Sequence, residues 1–80
     1  MTKLITGMTR FEDAIVEQLH FADVDRGLPA DKTLLVLAYK NGGITSVMNM
    51  PEVRALAETH GIHAYELERM IVRAVRMILN

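Results

Sequence analysis

Apolar residues recur along this chain at spacings of three and four, the repeat of one face of an α-helix. Phe11, Ile15, Leu19 and Ala22 form the first such set, with Ala14 and Gln18 beside them. Thr9 stands before it and Glu12 three residues later, the pair that closes a capping box. Glu12, Asp13 and Glu17 put negative charge near the helix start, where the helix dipole favours it. The spacing predicts a helix over 10–21, after a loose or strand-like lead-in of eight residues. The stretch 23–31, with Gly27 and Pro29, predicts a polar turn whose acids cap a helix. Asp23, Asp25 and Gly27 resemble part of a calcium loop, but Leu28 and Leu34 occupy the positions where such a loop needs glycine and glutamate.

From Leu34 to Tyr39 six residues are apolar without a break. A buried strand competes here, but Leu and Ala dominate and Gly42 is placed to stop a helix, so a helix over 31–41 is expected. A helix apolar on every side belongs in the middle of a fold. Gly42-Gly43 is the clearest break in the chain. Ile44 to Met50 reads as a short extended piece or one turn of helix. Asn49, ahead of Pro51 and Glu52, is the expected N-cap of a helix over 50–59, with His60 at its end and Gly61 beyond.

The last predicted helix, 63–79, is far longer. Glu66, Arg69, Arg73, Arg76 and Asn80 fall in one narrow polar stripe at 100° per residue. Leu67, Ile71, Ala74 and Ile78 lie on one apolar flank, and Tyr65, Val72, Val75 and Leu79 extend the arc round the other. Such an arc exceeds the ~100° stripe of an ordinary surface helix. Either the first two helices both pack on it, or a second copy of the chain does. Glu68 points into the arc and needs a cationic partner or an uncovered end.

Composition narrows the class. Eighty residues, half of them hydrophobic and 24% charged, make one globular domain over 1–80. With no Trp and only four other aromatics, the core must be aliphatic, which favours an all-α fold of four helices over a sheet sandwich. Cysteine is absent, so disulfides, Cys-bound zinc and thiol nucleophiles are excluded together. A small domain without such staples often gains stability by oligomerising, and a homodimer is expected. No apolar run approaches the ~20 residues of a membrane span, and the start lacks the apolar core of a secretion signal. A cytoplasmic location and no membrane partner are therefore expected. A net charge of −1 gives no overall attraction to polyanions.

Between Val53 and Ile71 the pattern is more specific. Leu56, Ala57, Gly61, Ile62, Leu67 and Met70 stand as apolar, small, glycine, apolar, apolar and apolar. A small residue lets two helices cross closely, and glycine serves a turn that needs positive φ. This stretch resembles the helix-turn-helix of phage repressors and Cro, within a helical pair over about 50–79. The resemblance implies a transcriptional regulator that binds duplex DNA as a homodimer. It implies a recognition helix starting at His63, with Ala64, Tyr65, Glu68 and Arg69 near base edges. Arg69 would make the bidentate guanine contact, and Arg54, Arg73 and Arg76 would meet phosphates. Residues 51–80 carry four Arg and four Glu, so the region is neutral rather than basic.

Catalytic chemistry has little to stand on. Ser46 is the only serine and lacks a glycine-rich elbow, and Gly42-Gly43 is not followed by the Lys-Ser/Thr of a phosphate loop. His60 and His63 are three apart across a helix break, with His20 forty residues away, so no metal or cofactor is expected. The competing function class is a non-enzymatic module that binds another protein through apolar helix faces. Val72, Val75 and Leu79 are the expected dimer or partner seam, and Met48, Met50, Met70 and Met77 would add adaptable contact area.

Overall fold

The computed structural model describes residues 8–79, so most of the expected lead-in and Asn80 of the polar stripe lie outside the described residues. The described chain is all-helical, with no strand. Helix α1 (Arg10–Val16) starts at the expected capping box: Thr9 Oγ1 accepts from the Glu12 N–H at 3.1 Å, and Glu12 Oε1 accepts from the Thr9 N–H at 2.8 Å. It does not stop at Phe21. A π-helical segment, Glu17–Phe21, carries it into α2 (Ala22–Asp25) with right-handed helical backbone at both joins. Nothing between Phe21 and Asp25 breaks a helix; Gly27, at φ 100°, does.

Helix α3 (Leu34–Met48) follows a 3-10 turn at Ala30–Lys32. It is two helical pieces joined across Gly42 (φ −153°, ψ 16°) and Gly43 (φ 68°, ψ −156°). The backbone of Gly43 is essentially reserved for glycine. A Cβ on Gly42 would lie 2.8 Å from Cβ of Ser46. Ile44 to Met48 is thus helical rather than extended. Helix α4 (Pro51–His60) and helix α5 (Ala64–Leu79) complete the chain. The expected division into four helices is not reproduced, because the first continues past its predicted end and the second resumes beyond its break.

Two further expectations fail locally. Asn49 does not cap α4; Met50 holds the cap position, at φ −65° and ψ 134°, without a side-chain bond. The residue before proline is pushed to extended backbone, and Pro51 has no N–H to cap. The Asn49 side chain instead accepts from Arg54 at 2.8 Å. Met50 is consequently buried rather than near a surface.

The core is one cluster: Phe11, Ile15, Val16 and Leu19 from the first rod, Leu35 and Val47 from α3, Met50, Val53 and Ala57 around α4, and Ile71, Ala74 and Val75 from α5. Helix α1 packs on both α4 and α5, and α3 packs on α5 and on the π-helical segment. The part of the α5 arc that carries Ile71, Ala74 and Val75 is therefore covered by α1 and α3 within one chain, whereas Tyr65 and Leu79 at its ends stay exposed. Helix α3 is not the central element its apolar run suggests. Leu35 and Val36 are buried, but Leu34 and Leu37 are 40% and 41% exposed. Helix α1, with a buried Glu12 among its apolar residues, takes the centre instead.

A polar joint fastens α3 to the first rod. Asp23 Oδ2 accepts from the Leu34 N–H at 2.7 Å, and Asp23 Oδ1 pairs with Arg26. Thr33 Oγ1 lies 2.9 Å from Nδ1 of the buried His20 and accepts from the Val36 N–H at 3.4 Å. Asp23 is thus the helix-capping acid expected of this connector, and with Thr33 it serves two of the unpaired donors of the α3 start. The Leu34 N–H, helped by Arg26, holds the Asp23 carboxyl below its usual pKa against the opposing effect of burial. Burial pushes His20 below its ordinary 6.5, with Asp23 pulling the other way. A histidine kept neutral by burial stabilises the fold above its unfolded pKa and loses that contribution as pH falls through it. Thermal stability should therefore drop as pH is lowered below about 6.5, and His20→Gln should flatten that part of the Tm–pH curve. A His20→Gln curve parallel to the wild type over pH 5 to 7 would show that His20 is not responsible.

Candidate nucleic-acid interface on the last helix

The turn between α4 and α5 is built as its residues dictate. Gly61 takes the left-handed conformation at φ 69°, ψ 33°. The Ile62 N–H reaches the Ala57 carbonyl at 2.8 Å, and the Gly61 N–H reaches Glu58 at 3.2 Å. This is the Schellman pattern, which satisfies the last carbonyls of α4. Ile62 then packs against the core. The His63 carbonyl accepts from Glu66 and Leu67, both at 3.0 Å, and starts α5. His60 sets its ring edge-on to Phe11 of α1, with centroids 6.0 Å apart.

Beyond the turn the two helices part company. Helix α4 and helix α5 each pack on α1 and are not a closely packed pair. Ala57 is buried and Leu56, Leu67 and Met70 lie against the same core, but the element shared by both helices is α1. The direct α4–α5 crossing expected from Ala57 is replaced by packing of both helices on a third, α1.

The face assigned to bases is open. His63, Ala64, Tyr65, Glu68 and Arg69 are all exposed, Tyr65 to 81%. Glu68 thus sits at an uncovered end of the arc, without needing a buried partner. Arg69, Arg73 and Arg76 follow one another along exposed α5. Glu66, Arg69, Met70 and Arg73 line a shallow open groove of about 150 Å³. Arg54 is exposed on α4, tied to Asn49. The association seam divides differently from its expectation. Leu79 is 43% exposed and Val72 half-buried, but Val75 is buried in the chain's own core. Val75 drops out as an interface residue because α1 and α3 already cover that side of α5.

Glu12 is the residue whose role went unseen in the sequence. Its side chain is wholly buried, although it belongs to the first turn of a helix. Oε1 serves the capping box, and Oε2 has no hydrogen-bond partner among the described residues. Among the described residues it pairs with Arg73 of α5, whose Nε lies 3.4 Å from Oε2 while its side chain stays 58% exposed. A capping-box signature marks Glu12 as a helix start, and nothing in that local signal reports which helix will lie over it.

Among the described residues, no three His, Cys, Asp or Glu side chains come together as a metal site, and no helix is long and apolar enough to cross a membrane. Comparison of the chain with protein-family models, with curated proteins and with solved structures yields no significant match.

Removing one partner of a buried charge leaves the other stranded. Arg73→Ala should lower stability by about 1–3 kcal/mol, less than for a fully buried pair because Arg73 is largely solvated. The double variant Glu12→Gln/Arg73→Ala should be more stable than the sum of the single losses implies. Urea unfolding of the four proteins measures this coupling, and strict additivity would show that the pair does not interact.

Proposed function

We propose that this protein is a small DNA-binding regulator that offers the first turns of α5 to the major groove and acts as a homodimer. The observation that carries the reading is the exposed run His63, Ala64, Tyr65 and Arg69 directly after the left-handed Gly61 turn. A tyrosine exposed to 81% contributes little to the fold and suits contact with a base or phosphate. Arg69, Arg73 and Arg76 outnumber Glu66 and Glu68 on this helix; Glu12 balances Arg73, so attraction to phosphate is local to the exposed arginine stripe of a slightly acidic chain. Arg69 would read a base, while Arg54, Arg73 and Arg76 would hold the backbone.

The two kinds of contact have different signatures. Arg69→Ala should cost about 1–3 kcal/mol on a preferred sequence and relax preference there. Arg76→Ala should weaken all duplexes alike and reduce the salt slope by about one. Fluorescence anisotropy with labelled duplexes across a salt series separates them. No duplex affinity at ~50 mM salt from a folded protein would end this reading.

A second reading has its own support. Leu28, Leu34 and Leu37 are each about 40% exposed, and Leu34 and Leu37 share one face of α3. A non-enzymatic module that binds a partner protein through this face is the alternative. Leu34→Lys/Leu37→Lys should then abolish partner binding and leave duplex affinity intact, whereas the converse pattern favours the DNA reading.

A further inference from the structure

We infer that Glu12 is a positioning residue for Arg73, holding its guanidinium in place at the α5 groove for an incoming phosphate. The inference rests on the DNA reading above and names a residue outside the helix that reading uses. Glu12 has no exposure of its own, so it acts through another side chain. Its Oε1 is fixed by the Thr9 N–H at 2.8 Å, so the carboxylate cannot turn freely. Its Oε2 faces Arg73 Nε at 3.4 Å. Arg73 is thereby held from the buried side while more than half its side chain remains in solvent, on the groove it lines with Glu66, Arg69 and Met70. A long side chain ordered before binding loses less freedom on binding. Both ends of this hold lie in regular helix, the capping box of α1 and the middle of α5, and α1 packs directly on α5.

Glu12→Gln separates the hold from the cap. Glutamine keeps the side-chain oxygen that accepts from Thr9 and the side-chain size, and it removes the charge. Binding of a labelled duplex of about two helical turns should weaken by roughly three- to tenfold at fixed salt, the range expected when one rotamer-rich side chain must be ordered on binding. The salt slope should stay unchanged, since Arg73 still reaches a phosphate. The same substitution should cost little in an Arg73→Lys background, which keeps the charge and lacks the Nε contact. A purely structural role for Glu12 would change Tm without that dependence on Arg73. The mobility of the Arg73 Nε–H vector, measured by NMR relaxation without DNA, should be low in the wild type and higher in Glu12→Gln. Equal mobility in the two proteins, or equal duplex losses in both Arg73 backgrounds, would overturn the inference. A wild type that binds no duplex while the mobility difference persists would instead discard the DNA reading and leave the Glu12–Arg73 hold in place.

Discussion

The structure depends on the burial of α1 between its neighbours. Phe11, Ile15 and Val16 are almost fully withdrawn from solvent, and α4 and α5 both lie against this helix. Burial of a large aliphatic or aromatic side chain contributes about 1.5–3 kcal/mol. Much of what this small chain can gain is thus concentrated in one helix. Ala74 and Ala57, both buried, keep the facing surfaces of α5 and α4 low. The turn at Gly61 sets the direction of α5, but α1 sets where α4 and α5 come to rest. The helical pair that carries the proposed function is therefore not self-supporting. Its geometry is transmitted through a helix that begins forty residues before α4.

The same centrality explains why the buried polar groups sit at helix starts. A helix beginning leaves four N–H groups without partners, and burial makes each costly unless an acceptor is near. Glu12 and Thr9 serve one start, Asp23 and Thr33 the other. At each start one acceptor also reaches across to another part of the chain: Glu12 toward Arg73, Thr33 toward His20. These joints fix how the helices dock as well as where they begin. Their cost is conditional, since each is favourable only while every member stays paired.

What remains for function is the solvent side of α5 and the outer side of α3. On α5, two glutamates precede three arginines, so attraction to phosphate is local and screened within about 10 Å at ordinary salt. An interface of this kind gains from a few well-held side chains more than from a broad positive field. A buried carboxylate behind Arg73 suits that strategy. On α3, the half-exposed leucines reflect geometry: a helix broken at Gly42-Gly43 offers one side to the core and leaves the other outside.

The sequence by itself determined the local vocabulary. The Thr9–Glu12 box, the Gly42-Gly43 break, the left-handed Gly61 and the arginine stripe of α5 are signals within one or two turns of helix, and each is present in the folded chain. Tertiary structure decided what covers what. Periodicity gives an apolar arc but not the number of helices available to fill it, so Val75 is core and not seam, and α3 lies outside and α1 within. Nor does local sequence specify pairings between helices, which is why Glu12 read only as a cap. Arg73 stands far along the chain from Glu12, and only the docking of α5 on α1 makes that carboxylate both buried and paired.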